Sequence, residues 1–214
     1  MKTGRKAYPK PAAGLWPAGT VNYTAAMGKR LSKIVTRTGD AGETGLATGA
    51  RLAKTDPRIA AIGEVDELNS HLGVLIEMGL PSPLPEILRE VQNDLFDVGG
   101  ELSMPGLALD QALIREGALE RLEADFERIN ETLPPLTEFV LPGGTPAAAQ
   151  AHVVRAVCRR VERALWSVPD PVMNPLLPRY LNRLSDLMFA VARQLARLDG
   201  GSEVMWRHSR KKKK

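Results

Sequence analysis

Asn174-Pro175-Leu176-Leu177-Pro178-Arg179-Tyr180-Leu181-Asn182-Arg183-Leu184-Ser185-Asp186-Leu187-Met188-Phe189-Ala190-Val191-Ala192-Arg193-Gln194-Leu195-Ala196-Arg197-Leu198 decides the fold class. Within it Leu177, Leu181, Leu184, Met188, Val191, Leu195 and Leu198 recur in alternating steps of four and three. That spacing holds one apolar stripe on one side of a helix for about six turns. Asn174-Pro175 supplies a cap and an early proline, and Gly200-Gly201 supplies a stop. So long a stripe has to be covered by other elements.

The preceding sequence supplies four of them. Thr145-Pro146 opens a helix that runs to about Val168, with Val154, Cys158, Val161 and Leu165 as its apolar side. Residues 112 to 133 carry Leu119, Leu122, Phe126, Ile129 and Leu133 in the same rhythm and stop at Pro134-Pro135. After the Pro81 to Pro85 punctuation, Leu84, Leu88, Val91, Leu95, Val98 and Leu102 mark another helix, and Asp56-Pro57 opens the first, which reaches about Gly79. Strand alternation is confined to Lys33 to Thr36. Helices of about 20 residues joined by short loops predict an all-α chain folded as a five-helix antiparallel bundle.

The 214 residues carry a net charge of +4, but the charge is not spread evenly. Residues 1 to 39 hold eight bases and no acid, and residues 207 to 214 hold six bases and no acid. Between them fifteen bases face all 25 acids, so the body is at −10, which argues against a specific nucleic-acid surface. Residues 1 to 30 read as a disordered extension, 31 to 206 as the helical-bundle domain and 207 to 214 as a basic tail. The first 26 residues lack the apolar centre of a secretory signal, and no apolar run is long enough for a membrane span. A cytoplasmic location follows, with an organellar matrix as the alternative if residues 1 to 26 are a transit peptide. One cysteine, Cys158, and three histidines give no cysteine- or histidine-based metal site.

Residues 140 to 206 reverse the balance, with eight arginines against five acids, so an anion is best sought there. On the fourth helix His152, Arg155, Arg159, Glu162 and Arg163 share a side away from Cys158. Planar guanidinium groups in such an array suit a triphosphate, although a solvated salt-bridged face has the same pattern. On the fifth helix Asn182, Asp186, Phe189 and Arg193 turn away from the leucine stripe. On the first, Glu64, Asp66, Glu67, Asn69 and Ser70 are more polar than a core helix tolerates without partners. Ahead of the first helix, Thr36-Arg37-Thr38-Gly39-Asp40-Ala41-Gly42-Glu43-Thr44-Gly45 reads either as a plain turn or as a glycine-rich loop whose amides and hydroxyls cradle phosphate. Lys54 is the one lysine between residues 40 and 206. Phe139-Val140-Leu141-Pro142-Gly143-Gly144 places an aromatic ring just ahead of the arginine-bearing helix.

Taken together, Thr36 to Thr44, Lys54-Thr55-Asp56-Pro57-Arg58, Gly63-Glu64-Val65-Asp66-Glu67-Leu68-Asn69, Phe139 to Gly144, Arg155 to Arg163 and Leu181-Asn182-Arg183-Leu184-Ser185-Asp186 resemble the PduO-type ATP:cob(I)alamin adenosyltransferases. The resemblance spans residues 33 to about 206. It implies a bundle of the ferritin-like, cobalamin adenosyltransferase type, assembled as a homotrimer with active sites between subunits. It further implies transfer of the 5′-deoxyadenosyl group of ATP to cob(I)alamin, with Mg²⁺ on the phosphates. By the same resemblance Thr36, Arg37, Thr38, Gly39, Asp40, Gly42, Thr44, Lys54, Arg159, Glu162, Arg163 and Asn182 bind ATP. Phe139, Asp66, Arg155 and Asp186 hold the corrinoid, and Arg159, Asp66 and Arg155 carry the catalysis. A cobalamin reductase and an adenosylcobalamin-dependent enzyme are the implied partners. The rivals are a silent nucleotide- or corrinoid-binding bundle and a di-iron bundle. The second needs Glu-x-x-His pairs, and Glu67 to His71 is one residue too long.

Overall fold

Five helices follow a short hairpin in the computed structural model, which describes Val35, residues 37–170 and residues 172–207. The N-terminal unit ends at Arg37, and the unit that begins at Thr38 holds every element below. The extension at residues 1–30, most of the Lys33 to Thr36 strand, and the tail beyond Arg207 fall outside the described residues.

The helices are α1 (Pro57–Ile76), α2 (Leu84–Leu102), α3 (Glu116–Asn130), α4 (Pro146–Trp166) and α5 (Leu176–Ala196). The starts of α1, α4 and α5 carry the expected caps. The Asp56 carboxylate accepts the Arg58 amide at 2.8 Å, and the Thr145 hydroxyl accepts the Ala148 amide at 3.1 Å. Asn174 accepts the Leu176 amide at 3.0 Å, one residue past the proline expected to open α5. α3 is shorter than its apolar rhythm: Leu109–Gln111 forms a 3-10 turn, and the helix begins only at Glu116. The cause is buried Glu101 on α2, which takes the Leu113 and Ile114 amides at 2.8 and 2.6 Å and holds that stretch out of a helix.

α4 and α5 form the closest pair. α1 lies on the other side of α4, α2 packs on α1, and α3 covers α5. Asp94 of α2 closes the ring, accepting from Arg121 of α3 at 2.5 Å and from the buried Tyr180 hydroxyl of α5 at 2.8 Å. The leucine stripe of α5 is wholly inside: Leu177, Leu181, Leu184, Met188, Val191 and Leu195 are at most 1% exposed. Burying each such side chain contributes ~1.5–3 kcal/mol, which makes this helix the axis of the core. α1 and α4 run antiparallel, shown by Arg160 pairing with Glu64 while Gln150 donates to the His71 carbonyl at 3.0 Å.

The glycine-rich segment is a two-stranded sheet, where no strand was expected. β1 (Glu43–Gly45) pairs antiparallel with β2 (Arg51–Ala53), Thr44 opposite Leu52. Gly49 turns it with φ of 87°, a left-handed conformation that favours glycine. The Ala47 amide bonds to the Ser103 carbonyl at 3.2 Å, seating the hairpin at the C-terminal end of α2.

Candidate active site

α4 and α5 each present a polar flank beside their buried stripes, and the segment leading into α4 folds over the gap between them. The result is a cleft of about 540 Å³ lined by Arg155 and Arg159 of α4, by Ser185, Asp186 and Phe189 of α5, and by Leu136, Glu138, Phe139 and Val140. It joins Phe139, Arg155, Arg159 and Asp186 from the expected site.

The cleft holds two arginines, Arg155 and Arg159, and two carboxylates, Glu138 and Asp186. Burial, together with the neighbouring Arg159 cation, lowers the Arg155 pKa from its ordinary value. The buried Nε of Arg155 has no hydrogen-bond partner among the described residues, and its guanidinium carbon stands 6.0 Å from the centre of the Phe189 ring. Among the described residues neither guanidinium is salt-bridged to a carboxylate, although Glu138 and Asp186 also line the cleft, so both arginines remain available to an anion. His152 does not join them. It is 4% exposed and turned inward, 6.1 Å from Phe189, and burial with the Arg155 charge lowers its pKa.

Phe139 is 76% exposed, a large apolar ring held out from the core. The edge of the Trp206 ring meets it at 6.2 Å, and its carbonyl accepts the Trp206 amide at 2.7 Å. With Leu136, Val140 and Phe189, Phe139 gives the cleft an apolar wall beside the arginines, a lining that suits a ligand with both an apolar face and negative charge.

The remaining candidates lie elsewhere. Arg163 caps the Arg159 carbonyl at 3.1 Å, and Asn182 accepts from Arg183 at 3.0 Å. Neither they nor Glu162 line the cleft. Asp66 is exposed on α1, where the helix-four partner goes instead to Glu64 and Glu67, both bound to Arg160. Arg193, expected on the polar side of α5, is 4% exposed and paired with Glu203, so it is a core residue.

Thr38, Gly39, Asp40, Gly42, Thr44 and Lys54 gather at the hairpin. The Lys54 amide donates to the Gly42 carbonyl at 2.8 Å. A methyl group on Gly39 would stand 3.3 Å from the Lys54 ammonium, so glycine there leaves room for the lysine to lie across the loop. Arg51, which the motif reading passed over, donates to the Thr38 carbonyl at 2.7 Å and pairs with Glu43 at 3.3 Å. No sequence signal marked it; the hairpin pairing places it opposite Gly45. Arg37, the last residue of the N-terminal unit, has φ of 60°, and Thr36 lies outside the described residues.

Comparison with known proteins converges on one family. A profile of the Cobalamin adenosyltransferase family matches residues 34–195. A cobalamin adenosyltransferase of Cupriavidus metallidurans is 52% identical over 186 residues, covering 86% of this chain and 99% of that protein. A corrinoid adenosyltransferase of Mycobacterium leprae is 42% identical over 191 residues, covering 85% and 98%. Among solved structures, a variant PduO-type ATP:corrinoid adenosyltransferase from Lactobacillus reuteri, complexed with cobalamin and ATP, superposes with a TM-score of 0.76 at 33% identity, covering 82% of this chain and 100% of that one.

Proposed function

The chain belongs to the cobalamin adenosyltransferase family, and from that premise we propose how its residues divide the work of moving the 5′-deoxyadenosyl group of ATP onto cobalt. The enzyme is an ATP:corrinoid adenosyltransferase. The Co(I) electron pair attacks the 5′-carbon of ATP and forms the Co–C bond. The C–O bond breaks in line with it, and its electrons leave with triphosphate.

Charge builds on the leaving oxygen, so the protein lowers the barrier with cations fixed before the reaction. Arg159 takes that role, with Glu162, Arg163 and Asn182 ordering the nucleotide along the same two helices. Thr38, Gly39, Asp40, Gly42 and Thr44 wrap the triphosphate, Lys54 adds a mobile charge, and Mg²⁺, when bound, would neutralise part of the charge on the leaving triphosphate. Phe139 and Asp186 receive the corrinoid, the ring shielding the face of cobalt opposite the attack. The observation that carries this division is the shared cleft, in which Arg159 and Arg155, the latter with an unpartnered buried Nε among the described residues, stand beside an exposed aromatic ring.

The position of the hairpin supports an oligomer with shared sites. It leads into α1 at the end of the bundle where α4 terminates, whereas Phe139 precedes the first residue of α4. No described residue of the hairpin lines the cleft that holds Phe139 and Arg159, so in one chain the triphosphate loop and the corrin-facing ring do not share a cleft. A second copy brings them together. Exposed Asp66, with no side-chain partner among the described residues, and half-satisfied Arg155 are then the groups that bridge subunits in a homotrimer.

The test is to mix the protein with ATP, Mg²⁺ and chemically reduced cobalamin and follow the adenosylcobalamin spectrum. Arg159→Ala is expected to slow turnover at least ~100-fold with assembly intact. Turnover near wild type would remove Arg159 from its role, and a monomeric mass by light scattering would overturn the shared site.

A further inference from the structure

Resting on the adenosyltransferase reading, we propose that Glu203 is a positioning residue that fixes the corrin-facing wall of the cleft without touching the ligand. Four of the nine residues lining the cleft, Leu136, Glu138, Phe139 and Val140, come from one loop rather than from a helix. Few of that loop's own bonds hold it. What holds it is a ribbon formed with the segment after α5.

The Leu141 amide donates to the Val204 carbonyl at 2.8 Å, the Trp206 amide donates to the Phe139 carbonyl at 2.7 Å, and Val140 bridges Met205. Residues 203–206 are therefore the splint for Phe139. Glu203 is the root of that splint: its side chain is fully buried, one carboxylate oxygen is bound by Arg193 and the other by Arg197 at 2.7 Å. Arg193 reaches the loop from its other end, donating to the Pro134 carbonyl at 2.6 Å. One ionic cluster on the last turns of α5 thus ties both Pro134 and the 203–206 strand to the helix that carries Asp186 and Phe189.

The close fit of the ribbon on α5 depends on two glycines. A methyl group on Gly144, at φ 98°, would stand 3.0 Å from the Ala196 side chain, and one on Gly201 would stand 2.5 Å from the Ala196 carbonyl oxygen. A buried ion pair contributes little net stability over apolar packing, so the role proposed for this cluster is to hold one geometry. Here the geometry fixed is that of the ring facing the corrinoid. ATP, held by the hairpin and by the α4 flank, does not depend on it.

The experiment uses the full chain and measures kcat and the two KM values, for cob(I)alamin and for ATP, in wild type, Glu203→Gln and Leu141→Pro. Leu141→Pro removes the amide at the far end of the ribbon and leaves the buried cluster untouched. Both variants are expected to raise the cob(I)alamin KM about tenfold, the equivalent of ~1.4 kcal/mol, with the ATP KM within about twofold of wild type. An unchanged cob(I)alamin KM in Glu203→Gln with wild-type helicity overturns the proposal. If that variant loses helicity, an unchanged cob(I)alamin KM in Leu141→Pro overturns it instead. Equal rises in both KM values point to general loosening and also reject it. A wild-type protein that forms no adenosylcobalamin removes the underlying reading, and the proposal falls with it.

Discussion

Along α4, residues 152, 155 and 159 occupy neighbouring positions on one flank, yet they meet different surroundings. Arg155 and Arg159 open onto the cleft, while His152, one turn earlier, is covered by Phe189. Helical spacing shows that the three share a side; it does not show where the neighbouring helix ends its coverage, so the inward turn of His152 was not legible. The burial has a thermodynamic consequence. His152 has its pKa lowered in the folded state, chiefly by burial and then by Arg155, from the ordinary 6.5. The unfolded chain therefore binds this proton first. Stability is complete above about pH 6.5 and falls as the pH drops from there towards the folded-state value. His152→Gln is expected to flatten the urea-midpoint profile between pH 6.5 and 5; an unchanged slope would separate this histidine from the acid response. Cys158 is as buried, and burial pushes its thiol well above the usual range while it donates to the Leu181 carbonyl at 3.0 Å. It should resist a disulfide reagent in the native protein and react once unfolded. Rapid native labelling would contradict this packing.

The helices were legible because each shows an apolar period, and α1, α4 and α5 also show a cap, as at Asp56-Pro57 and Thr145-Pro146. The hairpin was not. Its strands are three residues each, too short for alternation to register, and glycines at 39, 42, 45 and 49 read as loop. What the pairing adds is Arg51, whose guanidinium bridges the Thr38 carbonyl and Glu43 across the sheet. That bridge sets the curvature of the loop proposed to wrap triphosphate. Arg51→Ala should raise the ATP KM ~10-fold, the cost of a charge-assisted hydrogen bond of ~1.5 kcal/mol, and leave the cob(I)alamin KM alone. No change in the ATP KM would show that the loop keeps its shape without the bridge. The same kind of limit explains Arg193. Position 193 continues the Asn182, Asp186, Phe189 row, and only the return of the chain after Gly201 places Glu203 beside it and draws it inside.

At the scale of the molecule, the order of motifs along the chain carried the family, but helical period carries nothing about which surfaces of two copies meet. The proposal of a second copy rests on the cleft itself, because among the described residues no part of the hairpin lines the cleft that holds Phe139 and Arg159. If each site takes its hairpin from one subunit and its α4 and α5 wall from the next, two defects on different chains complement each other. Lys54→Ala damages only the first half of a site and Arg159→Ala only the second. Each variant alone leaves every site defective. In mixed oligomers some interfaces pair an intact hairpin from the Arg159→Ala chain with an intact wall from the Lys54→Ala chain. Random reassembly of equal amounts restores about a quarter of the sites, since each interface is head-to-tail and draws its two halves independently. Mixing the two variants under mild denaturant, removing it and measuring adenosylcobalamin formation should therefore recover about a quarter of wild-type turnover. If hairpin and wall of one chain served the same site, no combination of these chains would contain an intact pair, and the mixture would stay as inactive as its parts.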